Sequence, residues 1–303
     1  MPEVYMRWVI FAGIADNRSK ISLKAIMYTL NCRGKLLVMD KPLVMGVINI
    51  TPDSFYKESR RMLPEDTLAQ AQQMIAAGAD IIDIGGQSTR PGSERITAKE
   101  EAERVIPVVE TIIQQFPGAV ISVDTYYAAV AEKAVAAGAS LINDISSGDM
   151  DPDMISTVAA LQAPYICMHM QGTPGTMQQH PQYNDVVKEV LDYLIGKVKA
   201  CTDAGIKDII VDPGFGFGKN TTHNFRLLHD LSLLKITGKP ILAGLSRKST
   251  ISRILGIPPE EALNGTTVLN TIALMNGAKI LRVHDVRAAR EAVQLHLAVN
   301  GEK

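Results

Sequence analysis

The chain shows no excess of charge of either sign. Its 303 residues carry 31 basic and 32 acidic side chains, a formal net charge of −1. That balance gives no sign of a nucleic-acid or membrane-surface partner. No apolar run approaches the roughly 20 residues that span a bilayer. Cysteine is scarce: Cys32, Cys167 and Cys201 are scattered without metal-site spacing, so free thiols in a reducing cytoplasm are the simplest expectation. No linker or low-complexity segment breaks the sequence, which argues for one domain over residues 27–303. The stretch Trp8–Ala15 is apolar and follows Arg7, but it is short for a signal peptide and no convincing cleavage site follows. Residues 1–26 are therefore expected to be a poorly ordered extension, with Met27 an alternative start.

Hydrophobic residues make up 46% of the chain and charged residues 21%, enough for a large core. Tyr28 to Asp40 alternates around Asn31-Cys32-Arg33-Gly34-Lys35 and predicts a β-hairpin. A unit then recurs: amphipathic helix, glycine stop, short apolar strand, polar loop. Its joints are plainest at AAGADIIDIGG (76–86), AAGASLINDI (136–145), DAGIKDIIVDPG (203–214) and MNGAKILRVHD (275–285), where Gly78, Gly138, Gly205 and Gly277 can end helices in the left-handed region. The strands are too uniformly apolar for half-exposed antiparallel ones. Eight are expected, at 43–49, 81–85, 119–124, 140–144, 164–168, 208–212, 240–245 and 279–283. Helices are expected at 65–77, 99–115, 126–137, 152–161, 182–204, 222–234, 259–276 and 285–298. Eight strand–helix units imply a closed (β/α)8 TIM barrel preceded by the hairpin. The segment after the first barrel strand, Asn49-Ile50-Thr51-Pro52-Asp53, is not the glycine fingerprint of a dinucleotide fold.

Barrel sites lie at the C-terminal ends of the strands. Read in order, those ends give Asn49, Gly85-Gly86, Asp124, Asn143-Asp144, Met168-His169, Asp212, Ser246-Arg247-Lys248 and Arg282 with His284. A single Asp or Asn there is as readily a turn cap as a ligand; a polar group at nearly every end describes a site. Asp124, Asn143 and Asp212 can line one pocket, where carboxylates match the adjacent N–H donors of an aminopyrimidine edge. Arg282 and His284 suit phosphate oxygens, and Asn49, on the neighbouring first strand, can help hold Mg2+ through oxygen. A helix starting after Ser246-Arg247-Lys248-Ser249 would offer free N–H groups to an anion.

The loops at Thr51–Pro64 and Gly86–Thr97 are long for ordinary connections and can close over a substrate. His169 is expected to be a packed or rim histidine, and His180, His223, His229 and His296 surface or cap residues. Phe215 and Phe217 can pack in the core or stack on a ligand ring. Gly214-Phe215-Gly216-Phe217-Gly218-Lys219 lacks the spacing of a P-loop.

These motifs closely resemble the dihydropteroate synthase family, folate-pathway enzymes inhibited by sulfonamides. The resemblance runs from about Met27 to the C-terminus and rests on MGVINITPDSF (45–55), DIGGQSTRPG (83–92), VDT (123–125), INDI (142–145), DPGFGFGK (212–219), SRKS (246–249) and RVHDV (282–286). It implies condensation of 6-hydroxymethyl-7,8-dihydropterin diphosphate with 4-aminobenzoate, with Mg2+, in a cytoplasmic homodimer. It also implies that Asp124, Asn143, Asp212 and Lys248 hold the pterin, with Asp124, Lys248 and Arg282 catalytic. Asn49 would bind Mg2+, and Arg282 and His284 the diphosphate. Thr89, Arg90 and Pro91 would belong to the closing loop, with Thr89 near the pterin diphosphate and Arg90 and Pro91 toward the aminobenzoate. Ser249 would face the aminobenzoate carboxylate and Phe217 border its ring. Gln87 stands where many relatives have Glu, so no catalytic duty is expected of it. The STRPG loop has no inserted residues, so ordinary sulfonamide sensitivity is expected.

Two rival readings share the pterin pocket. A methyltransferase passing a methyl group to a corrinoid would not need Arg282, His284 and the SRKS segment. A catalytically silent paralogue would not need every reacting position filled.

Overall fold

The computed structural model describes residues 27–50, 63–88 and 95–301. The expected N-terminal extension, most of the first long loop and half of the second lie outside the described residues.

Strands β1 (Tyr28–Cys32) and β2 (Lys35–Met39) form the expected antiparallel hairpin. Its two-residue turn places Arg33 and Gly34 at φ 56° and 84°, the left-handed pair that a tight hairpin favours. Then come β3 (Leu43–Asn49), α1 (Leu63–Ala76), β4 (Ile81–Gly85), α2 (Ala98–Gln115), β5 (Ile121–Asp124), α3 (Ala128–Ala137), β6 (Leu141–Asp144), α4 (Met154–Leu161), β7 (Tyr165–Met168) and α5 (Val186–Asp203). The chain continues through β8 (Ile209–Asp212), α6 (Thr221–His229), β9 (Leu242–Ala243), α7 (Ser249–Leu255), α8 (Leu263–Met275), β10 (Ile280–Val283) and α9 (Val286–Val299).

Eight parallel strands run in the order β8-β7-β6-β5-β4-β3-β10-β9. The ring closes where Val211 N–H donates to the Pro240 carbonyl at 3.0 Å, beside a parallel bridge from Val211 to Ile241. The fold is a (β/α)8 barrel, and all four glycine stops have positive φ, between 95° and 122°.

Side chains of a strand alternate between faces, and this period separates floor from site. Ile81, Leu141, Ile166, Ile210, Leu242 and Ile280 point into the barrel and form one apolar layer, stoppered from below by Leu30, Cys32 and Met39 of the hairpin. Two residues further on, the same faces carry Asp83, Asn143, Met168, Asp212, Gly244 and Arg282. Outward-facing Val44, Ile48, Ile82, Ile84, Ile121, Val123, Leu281 and Val283 pack against the helices. The apolar floor thus sets the depth of a polar cup.

Three helix boundaries differ from expectation by more than two residues. Asp185 caps α5, its side chain accepting from the N–H groups of Val187 and Lys188. Tyr183 consequently leaves the helical stripe, and its hydroxyl donates to the Gly218 carbonyl at 2.8 Å. The 222–234 helix stops at His229, and a 3-10 turn, Leu231–Thr237, follows. The 259–276 helix is a 3-10 turn, Pro259–Glu261, followed by α8.

Candidate active site

Strand register gathers the cup. Asn49 pairs with Gly85, Gly85 with Asp124, and Asp124 with Asn143. Four positions spread over 95 residues therefore share one row at the barrel mouth. Gly85 leaves room for it: a Cβ there would lie 3.5 Å from Asp124 Cβ and 3.7 Å from Asn49 Oδ1.

Arg282 rises from β10 below this row and ties it together. Its Nε donates to Asp83 Oδ2 at 2.7 Å and its Nη2 to Asp124 Oδ2 at 2.6 Å. Asn143 Nδ2 donates to the same Asp83 oxygen at 3.1 Å. Burial pushes Asp124 up to about 7, with Arg282 opposing and Asp83 adding to the rise. Asp212 is also raised by burial, opposed by Lys248; one of its oxygens accepts from Gly214 N–H at 2.7 Å. Carboxylates and an amide thus face one cup with Arg282 and Lys248 as its cations.

Lys248 precedes α7. Its ammonium donates to the Phe215 carbonyl and lies 4.7 Å from the centre of the Phe217 ring. Burial lowers its pKa to about 8, against the pull of Asp212. Phe215 is fully buried, whereas Phe217 is half-buried beside the cup. Ser249 is exposed as the first residue of α7. His284 stands at the rim, 3.1 Å from Ser246 Oγ through Nδ1; partial burial of its ring and the nearby Arg282 cation pull it down to about 4.

Arg247, grouped with Lys248 at a strand end in the sequence, turns away. Its Nε and Nη2 grip Asp285 at 2.8 Å each, and Nη1 donates to the Glu260 carbonyl. It fixes the turn that aims Lys248. Gln87 likewise holds a loop root, its Oε1 accepting from Ile96 N–H at 2.9 Å and from the Tyr126 hydroxyl. Thr89, Arg90 and Pro91 lie outside the described residues.

Two groups at the site carry no role in the sequence reading. Asp83, fully buried, is the common acceptor for Arg282 and Asn143. It hides inside an apolar strand, yet it is two residues from Gly85 and so shares its inward face. Lys219, also buried, donates to the carbonyls of Gly214 and Phe217 at 2.9 and 3.0 Å and contacts His169 Nδ1 at 2.9 Å. Burial holds His169 down to about 3, so it is the neutral acceptor of that contact. The expectation of a packed histidine is met. A lysine that draws loop carbonyls inward explains how the glycine-rich segment after β8 keeps one shape.

Mg2+ commonly keeps several waters and takes few protein oxygens beside substrate phosphates. Asn49, exposed at the mouth with its amide oxygen toward Gly85, fits that requirement. Among the described residues no cluster of three His, Cys, Asp or Glu could hold a metal on its own.

The barrel and its cup fall within a known family: the family model described as "Pterin binding enzyme" matches residues 45–284. Dihydropteroate synthase of Escherichia coli K12 is 44% identical over 265 residues, covering 87% of this chain and 93% of the relative. That of Haemophilus influenzae is 42% identical over 268 residues, 88% of this chain and 97% of its own. Among solved structures, Yersinia pestis dihydropteroate synthase in a sulfonamide drug complex superposes with a TM-score of 0.85 at 42% identity, covering 90% of this chain and all of that one. The Xanthomonas albilineans enzyme in complex with 7,8-dihydropteroate gives 0.82 at 39% identity, covering 91% of this chain and 100% of its own. The chain belongs to the dihydropteroate synthase family, transferases within the pterin-binding enzymes.

Proposed function

We propose that this chain joins 6-hydroxymethyl-7,8-dihydropterin diphosphate to 4-aminobenzoate, releasing 7,8-dihydropteroate and diphosphate. The observation that carries the reading is the cup itself: Asp124, Asn143 and Asp212 with Arg282 and Lys248 at one barrel mouth. The acids accept the N–H groups of the pterin's aminopyrimidine edge, and Lys248 bounds the ring. Arg282 and His284 hold the diphosphate and offset the charge it carries as the C–O bond breaks. Asp83 and Asp124 engage Nε and Nη2 of Arg282, which leaves Nη1 for the diphosphate. Asp124 offsets positive charge developing on the pterin methylene. The arylamine attacks as a neutral nucleophile beside Phe217, its carboxylate toward Ser249 and the start of α7. Thr89, Arg90 and Pro91 complete the cover of the substrates. Asn49 would hold Mg2+, which supplies charge neutralisation to the leaving diphosphate. Small molecules are the partners of this site.

We also infer a homodimer, from the apolar face of α8 and α9, and a cytoplasmic location, in keeping with three buried free thiols. No helix of the described residues is long and apolar enough to cross a membrane.

The test is diphosphate release from the pterin diphosphate, with and without 4-aminobenzoate, in wild type and Asp124→Asn. Release that depends on the arylamine and is lost in the variant supports the reading. Methyl transfer from methyltetrahydrofolate, or pterin binding without turnover, overturns it.

A further inference from the structure

Behind the cup lies a carboxyl group that the reaction above does not use. Glu101, in the first turn of α2, is fully buried. Its Oε2 accepts from the Thr125 hydroxyl at 2.8 Å, and its Oε1 meets no donor among the described residues. Thr125 follows Asp124 directly. Its hydroxyl also accepts from Tyr127 N–H at 3.1 Å, and its own N–H donates to the Asn143 carbonyl at 2.9 Å. One carboxyl group thus fixes the residue between the cup's central acid and the start of α3.

The same corner holds both roots of the second loop. Tyr126 donates to Gln87, and Tyr127 donates through its hydroxyl to the Ile96 carbonyl at 2.6 Å. Gly86 packs so tightly on Glu101 that a Cβ there would stand 3.1 Å from Glu101 Cγ.

The charged groups facing Glu101 are Asp124 on β5, Asp144 on β6 and Arg104 on its own helix, with the Tyr126 hydroxyl nearby. Arg104 donates to the Gly86 carbonyl instead of to the acid. Two buried carboxyls this close are not both ionised cheaply. Arg282 bonds Asp124 directly, whereas no cation bonds Glu101 among the described residues. The charge therefore settles on Asp124 and the proton on Glu101.

We propose that Glu101 is a positioning residue for the condensation, a neutral acid that fixes Thr125 and leaves Asp124 as the ionised member of the pair. The proposal rests on the reading of Asp124 as the acid that faces the pterin. Burial pushes Glu101 up to about 7, with Asp124 adding to the rise; burial raises Asp124 as far, so the direct bond from Arg282 decides which of the two carries the charge. Ionisation of Glu101 at higher pH then places a second negative charge behind Asp124 and disfavours the ionised form of that acid.

The experiment is the pH dependence of kcat and KM for Glu101→Gln, Glu101→Ala and Asp124→Asn beside wild type, with urea denaturation of each. Glutamine reproduces the neutral acid, so Glu101→Gln should keep kcat within about threefold of wild type near neutrality and lack the alkaline fall that Glu101 imposes. Glu101→Ala should lose roughly tenfold or more in kcat. A glutamine variant as impaired as the alanine one, or one keeping the wild-type alkaline limb, overturns the proposal while an inactive Asp124→Asn leaves the pterin site standing. Retained activity in Asp124→Asn overturns both. Should the alanine variant fail to fold, the pH profile of the glutamine variant decides alone.

Discussion

Arg282 Nε lies 2.7 Å from Asp83 Oδ2, although the two residues are 199 positions apart. Asp83 is wholly buried while the Arg282 side chain keeps 21% of its exposure. Removing the guanidinium leaves an uncompensated buried charge, which costs about 3–5 kcal/mol. Because Arg282 is partly exposed, the lower end is expected. Arg282→Met should therefore lose roughly 3 kcal/mol in urea denaturation, and Asp83→Asn in the same chain should restore most of it. Additive losses in the double variant would show that the pair is not coupled.

His284 supplies a pH prediction. Its free-state pKa near 4 makes the ring neutral at pH 7. A bound diphosphate favours the imidazolium, so binding raises that pKa and takes up a proton between about 4 and the new value. Following the His284 ring proton by NMR, assigned with His284→Gln, should give a low midpoint in the free protein and a higher one with inorganic diphosphate. A ring that already titrates near the ordinary value, or one unmoved by diphosphate, would contradict the assignment.

Gly214 follows Asp212 by two residues and has φ 69°. A Cβ there would stand 1.9 Å from the His169 carbonyl oxygen, a backbone atom that cannot swing aside. Gly205 also has positive φ, 98°, but nothing lies within 4 Å of its Cβ position. Gly205→Ala should thus lose only the conformational term of about 1–2 kcal/mol. Gly214→Ala should lose clearly more, and its pterin affinity should drop with the displacement of Asp212. Thermal melts and pterin titration of both variants measure the difference; equal losses would mean that the close approach is not rigid.

The eight strands were legible because buried parallel strands leave near-continuous apolar runs, and glycine stops such as Gly78 and Gly277 mark where each begins. The strand ends then put Asp124, Asn143 and Asp212 within one cup. What escaped were groups whose meaning depends on three-dimensional neighbours. Asp83 sits mid-strand in an apolar run, Glu101 is one of several acids in a helix start, and Lys219 looks like a solvated end to a glycine loop. Each is buried, and burial of a single polar residue leaves no local mark in a sequence. Tyr183 falls within the helix expected at 182–204 because apolar residues continue beyond Asp185 at helical spacing; the Asp185 cap overrides that periodicity.

The apolar residues left outside the barrel predict its assembly. On α8, Val268 is 50% exposed and Met275 71%; on α9, Leu295 is 69% and Val299 87%. These helices pack side by side, so the exposed residues extend one another's surface. The helix expected at 222–234 adds little to this face, with Leu233 at 45% exposure its one large exposed apolar residue among those described. An apolar patch of several side chains on a surface otherwise balanced in charge favours burial against a second copy. A charge placed in its centre must be desolvated in the dimer and not in the monomer, so it acts on association and spares the fold. Met275→Glu with Leu295→Glu should therefore sediment as a monomer at concentrations where wild type is a dimer, with the circular dichroism spectrum unchanged. A wild-type chain that sediments as a monomer, or a variant that remains dimeric, would remove this face from the assembly.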